Sequence, residues 1–276
     1  MVRLSALRKI FGVLAVVTSM LAAGCEDGRP EAGDSAVSPT SASPTWTGSP
    51  SGFPPSPAGP CGDAALAGRQ VAFAGSGGAR LVGYVLGTGN AAIVLVPQRR
   101  MDSCSFTTYA KILAGRGYRV LAFDFAGEGG STSAGDATNS GDVVAAIAYL
   151  RQAGAGRIAL IGTSRGGTAA LIAASVVKPP VAGVISVSSS RVFQSEDAEA
   201  AVKTLAAPVL YIAAQDDRGA ADAVRQLHDA TPGNVRNLLV VSGSRHGIAF
   251  FSGTDEASVE VNSAIDTFLT RYAPTG

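Results

Sequence analysis

From Val71 onward the chain alternates short aliphatic runs with longer segments of mixed polarity. Residues 91–96 read AAIVLV and residues 157–161 read RIALI, branched runs with almost no polar interruption. Runs of that length and composition mark strands buried on both faces. The same pattern predicts strands over 71–74, 81–86, 118–125, 181–187, 208–213 and 236–241, the first two forming an opening pair around a glycine-rich turn. Helices are predicted over 106–116, 142–152, 168–177, 197–205, 220–230 and 256–271. Asp142 is a candidate cap for the second of them, since a carboxylate can accept the unpaired N–H groups of a first turn. Strands separated by helices imply right-handed crossovers and a mostly parallel, doubly wound sheet with helices on both faces. Sites in such sheets lie at the carboxyl ends of the strands.

The first sixty residues break this pattern. Arg3, Arg8 and Lys9 precede Ile10 to Ala23, fourteen residues without a charge. A positive start and a short apolar stretch predict an export signal over 1–24, too short to span a bilayer. Its end, Leu21-Ala22-Ala23-Gly24-Cys25, resembles the lipobox of bacterial lipoproteins. That resemblance implies a lipid on Cys25, which would make the membrane a partner. It places the protein on the outer face of the cytoplasmic membrane or cell envelope. Residues 25–60 are Ser, Thr, Pro and Gly with few aliphatics, and are expected to form a disordered tether. Residues 61–276 are enough for one large domain.

Composition narrows the classes of function. Setting the three basic residues of the leader aside, 22 Lys and Arg become 19 against 21 Asp and Glu, a formal charge of −2. Nothing in that balance suggests a nucleic-acid partner. Besides Cys25 the chain has only Cys61 and Cys104, and in an oxidising compartment these are expected to form one disulfide. No cluster of His and Cys has ligand spacing, so no metal or cofactor is implied.

The chemistry centres on Gly162-Thr163-Ser164-Arg165-Gly166, set between a buried strand and an Ala-rich helix. This is G-x-S-x-G in the strand–turn–helix context that exposes a nucleophile. Here the chain, over roughly Val71 to Tyr272, resembles the α/β-hydrolase fold. Within it the dienelactone-hydrolase and cutinase-type branch is the most similar. The resemblance implies Ser164 as nucleophile and a base and acid later in the chain, in the order Ser, Asp, His. Of the two histidines, His228 lies mid-helix. His246 lies in Ser242-Gly243-Ser244-Arg245-His246-Gly247, just after the last strand, where the family keeps its base. Residues 208–217, PVLYIAAQDD, look like the family's strand ending in Gly-x-x-Asp, with Ala214 in the glycine place. That register makes Asp217 the acid, with its neighbour Asp216 as the alternative.

The resemblance also implies an oxyanion hole built from two backbone N–H groups, those of Arg165 and Arg99. Arg99 follows the strand 91–96 in Pro97-Gln98-Arg99-Arg100, where Gln98 replaces the glycine of many relatives. The loop 123–131, FDFAGEGGS, resembles the family's Asp-x-x-Gly-x-Gly loop, whose role is structural. Segment 189–207 is too short for a lid domain, which predicts an open site that admits small or polymeric esters. Arg99, Arg100, Arg165, Arg191, Arg218 and Arg245 all follow strand ends, against Asp102, Glu128 and Asp216 on the same loops. They predict a rim that favours anionic substrates, unless those arginines pair with acids or face solvent. The expected activity is hydrolysis of carboxylic esters or lactones through an acyl-enzyme. A tethered binding module with an idle elbow, or an acyltransferase using the same triad, is the alternative.

Overall fold

The computed structural model describes residues 60–233 and 236–276. The leader, Cys25 and residues 26–59 of the tether therefore lie outside the described residues. Among the described residues the strands are β1 (Gln70–Ala74), β2 (Arg80–Leu86), β3 (Ala91–Val96), β4 (Arg119–Phe123), β5 (Arg157–Thr163), β6 (Gly183–Val187), β7 (Val192–Phe193), β8 (Glu196–Asp197), β9 (Val209–Ala214) and β10 (Arg236–Val241). The helices are α1 (Thr107–Gly115), α2 (Asn139–Gln152), α3 (Arg165–Val176), α4 (Ala198–Val202), α5 (Arg218–Ala230), α6 (Ala249–Ser252) and α7 (Glu256–Tyr272).

Eight strands form one sheet in the order β1-β2-β4-β3-β5-β6-β9-β10. Only β2 runs against its neighbours; from β4 to β10 every pairing is parallel. Each parallel pair needs a crossover, and helices supply it. β3 shows why both faces must be covered. Ala92, Val94 and Val96 enter one core with Ile147, Leu150, Leu171 and Val224, whereas Ile93 and Leu95 enter the other with Phe106, Leu113, Phe250, Ile265 and Leu269. Alternate residues of one aliphatic run thus feed two cores. The carboxyl ends of β3, β5, β6, β9 and β10 lie along one edge of the sheet, as parallel pairing requires.

Three expectations are corrected by the structure. α2 begins three residues before its expected start, and its cap is Thr138, whose hydroxyl accepts from Gly141 N–H at 3.1 Å. Asp142 instead lies inside the helix and is buried, accepting from Ser76 N–H (3.0 Å), Ser76 Oγ (2.7 Å) and Ala126 N–H (2.9 Å). Its carboxylate holds two loops in place. The helix expected over 197–205 shrinks to the five residues of α4, preceded by the ribbon of β7 and β8. α3 starts at Arg165 rather than 168, because the turn at Ser164 leads straight into it.

Cys61 and Cys104 are joined, tying the start of the domain to the 3₁₀ turn Ser103–Phe106. Cross-linking residues 43 apart removes about 4 kcal/mol of loop-closure entropy from the unfolded chain in the chain-entropy model. Reduction is therefore expected to lower Tm by roughly 10 °C. Calorimetry with and without reductant checks it; an unchanged Tm with both thiols alkylatable removes the disulfide from the stability of the fold.

Candidate active site

Ser164 sits between β5 and α3 at φ 48°, ψ −120°. A residue with a Cβ occupies that region only under strain, which the surroundings must impose. They do so in two ways. The Ser164 N–H donates to Val187 C=O at 2.8 Å, anchoring the turn to the end of β6. The flanking glycines allow backbone approach: a Cβ on Gly166 would lie 2.3 Å from the Val96 carbonyl oxygen and 2.6 Å from that of Pro97. A Cβ on Gly162 would lie 2.4 Å from the Gly166 oxygen. No side chain fits at either position. The first turn of α3 therefore presses directly on the end of β3.

His246 follows β10, and its Nδ1 is hydrogen-bonded to Asp217 Oδ2 at 2.6 Å. Asp217 stands at the start of α5, just after β9, and both side chains are partly exposed. Asp216, the alternative acid, is exposed, and its N–H donates to Gly243 C=O at 2.8 Å. A carboxylate on Nδ1 leaves Nε2 as the nitrogen able to accept a proton. The end of β6 links this loop to the serine: Val187 C=O holds Ser164, and the next residue, Ser188, accepts from Gly247 N–H at 3.0 Å. His228 takes no part here. It lies in α5 with its ring edge-on to Tyr211 and Nδ1 on Asp229 Oδ1 at 3.0 Å.

Arg99 and Arg165 lie on either side of the contact between β3 and α3, one in the turn after the strand and the other at the start of the helix. Arg165 N–H is the first of α3, so it has no acceptor within the helix. Arg99 is the second residue of a turn closed by Met101 N–H on Gln98 C=O at 3.2 Å, with Arg100 left-handed at φ 64°. The Arg165 side chain is buried, at 7% exposure. Its guanidinium forms a bidentate pair with Glu128 (2.7 and 2.6 Å), lies 4.4 Å from the centre of the Phe125 ring, and makes a longer 3.4 Å contact with Gln98 C=O. Paired charges with two parallel hydrogen bonds are the strong class of ion pair. One side chain thus fastens the 125–128 loop to the elbow. Arg165 was expected on a cationic rim, with pairing to a loop acid such as Glu128 as the alternative, and it is the pairing that forms.

The arginine rim is thinner than expected. Arg165 faces inward on Glu128, Arg191 pairs with Glu199 at 2.8 Å, and Arg245 pairs with Asp255. Arg99, Arg100 and Arg218 are exposed and, among the described residues, carry no ion pair. The 123–131 loop has the structural role expected of it: Asp124 is buried and accepts from Ser103 N–H (2.7 Å) and Gly130 N–H (2.8 Å). Two residues near the histidine were missed as site residues, Ser188 and the side chain of Gln98. The only signal for either was the substitution of glycine at 98.

A family model described as the alpha/beta hydrolase fold matches residues 91–206. No curated protein matches the chain. Among solved structures, an esterase from Pyrococcus furiosus is similar at 16% identity and TM-score 0.62, over 74% of this chain and 91% of that one. An esterase from a Rhodococcus species is similar at 16% identity and TM-score 0.60, over 72% and 99%. A monoacylglycerol lipase from Paleococcus ferrophilus gives 17% identity and TM-score 0.60, over 70% and 99%. Strand order, the elbow between β5 and α3, the family model and the solved neighbours agree: this chain has the α/β-hydrolase fold.

Proposed function

We propose that this protein is a serine hydrolase of carboxylic esters or lactones that works through an acyl-enzyme on Ser164. The observation that carries the reading is the 2.6 Å bond between His246 and Asp217 on the sheet edge where the strained Ser164 turn also emerges. Ser164 Oγ attacks the ester carbonyl while His246 Nε2 takes its proton, and Asp217 steadies the imidazolium through Nδ1. The N–H groups of Arg99 and Arg165 stabilise the oxyanion. His246 then protonates the departing alkoxide, which leaves as the alcohol, and activates the water that releases the acid.

Esterases and a lipase among the structural neighbours are consistent with that chemistry. The substrate class proposed is small or polymeric esters of the kind taken by the dienelactone-hydrolase and cutinase-type branch. Between β6 and β9 the chain holds only the β7–β8 ribbon and α4, which supports an uncovered site. Arg99, Arg100 and Arg218 are the cations left to favour an anionic substrate. The setting proposed is the outer face of the cytoplasmic membrane or cell envelope, reached by cleavage before Cys25 and a lipid on that residue.

A fluorophosphonate probe is expected to label wild-type protein on Ser164, as mapped by mass spectrometry, and Ser164→Ala is expected to abolish both labelling and turnover of p-nitrophenyl esters. Folded wild-type protein without an adduct at Ser164 would instead favour the tethered binding module. Glu128→Ala strands a buried guanidinium beside the hole. It is expected to destabilise by about 2–3 kcal/mol, below the range for fully buried pairs because Glu128 is about a third exposed. It should also lower kcat, since the turn bearing Arg99 loses its brace. Thermal melts and steady-state kinetics on the variant check both effects.

A further inference from the structure

The bond to Asp217 orients the His246 ring, but something must also hold the backbone that carries it. His246 opens a helical turn: Ala249 N–H donates to His246 C=O and Phe250 N–H to Gly247 C=O, both at 3.2 Å. The first N–H groups of such a turn have no acceptor inside it. Here they belong to Gly247 and Ile248, and side chains from two strand ends accept both. Gly247 N–H donates to Ser188 Oγ at 3.0 Å, and Ile248 N–H donates to Gln98 Oε1 at 2.9 Å. Ser188 is buried and left-handed at φ 52°, with its own N–H on Ile212 C=O at 2.8 Å.

Gln98 does more than fill space. Its carboxamide lies against Gly247 so closely that a Cβ there would come within 2.1 Å of Oε1. Its backbone carbonyl accepts from Met101 N–H and meets the Arg165 guanidinium. In a trans peptide the N–H points opposite the C=O, so fixing that carbonyl also aims the N–H of Arg99. One residue therefore grips the oxyanion turn through its main chain and the histidine loop through its side chain, across 150 positions of sequence. Glycine at 98 could do the first but not the second.

We infer that Gln98 is a positioning residue: its side-chain oxygen, on the Ile248 N–H, holds His246 in register with the N–H of Arg99. The inference rests on the hydrolase reading for its kinetic consequence, though not for its structural one. Displacement of a catalytic group by about an ångström costs on the order of 100-fold in rate. Gln98→Met keeps the length of the side chain and removes the amide acceptor; Gln98→Glu restores an oxygen at that place.

For p-nitrophenyl acetate, Gln98→Met is expected to lower kcat by roughly 10- to 100-fold with KM little changed. The rate of fluorophosphonate labelling should fall in parallel. Gln98→Glu is expected to regain most of the loss. In proton NMR, the far-downfield resonance of the His246–Asp217 hydrogen bond should be sharp in wild type and in Gln98→Glu, and broadened or lost in Gln98→Met. Should Gln98→Met fail to fold, Gln98→Asn carries the same expectation, since it draws the amide back by one methylene. Wild-type kcat in the variant lacking the acceptor, a Gln98→Glu as slow as Gln98→Met, or an unchanged resonance overturns the inference. Wild-type protein that neither turns over nor labels sinks the hydrolase reading instead, and the resonance alone then decides the role of Gln98.

Discussion

The close approach of two backbones, the first turn of α3 and the end of β3, is the constraint on which the rest of the site depends. With Gly166 against the Val96 and Pro97 carbonyls, there is no room for a Cβ and none is present. That contact brings the N–H of Arg165 and the turn containing Arg99 to the same place. It also forces the chain at Ser164 through φ 48°, a conformation held by the Val187 carbonyl and by the strand and helix on either side. Strain of this kind, of order 1–3 kcal/mol, persists only where the surroundings over-determine it. Here a buried strand, a buried helix and a neighbouring strand end all do so.

Around that contact, loops are fixed by carboxylates, two of them buried, more than by further secondary structure. Asp124 accepts from Ser103 and Gly130, Asp142 from Ser76 and Ala126, and Glu128 takes both arms of Arg165. Loop backbone carries N–H groups that no ladder satisfies, and a buried carboxylate with several acceptor sites can take two or three of them at once. Each such group costs desolvation, repaid by charge-assisted hydrogen bonds. The result is a sheet edge whose loops are pre-organised.

The same pairing limits what the surface charge can do. Arginines spaced along strand ends suggest a cationic rim, yet three of them are neutralised by Glu128, Glu199 and Asp255. Arg165 is the clearest case, since it follows Ser164 and its side chain is buried over the Phe125 ring. Its N–H opens α3 without an acceptor in the helix, while its guanidinium fastens the neighbouring loop. The exposed pairs contribute little by themselves, because water and salt screen them.

The sequence by itself determined the alternation of buried strands and helices, the elbow at Ser164, and the location of His246 after the last strand. Those features are local: an aliphatic run, a glycine on either side of a serine, one histidine in a small-residue loop. The disulfide also followed from there being only two cysteines beyond Cys25. Tertiary structure decided the rest. Gly166 and Gly167 are poor helix formers, so the sequence favours a later start for α3, and packing against β3 overrides that preference. Asp142 has the look of a cap, but its partners Ser76 and Ala126 lie 66 and 16 residues away, and the cap passes to Thr138. Gln98 reads as a departure from a glycine pattern until its oxygen is found on Ile248, 150 residues on. A polar side chain's role is set by the group it meets, and at such separations that group is known only once the chain has folded.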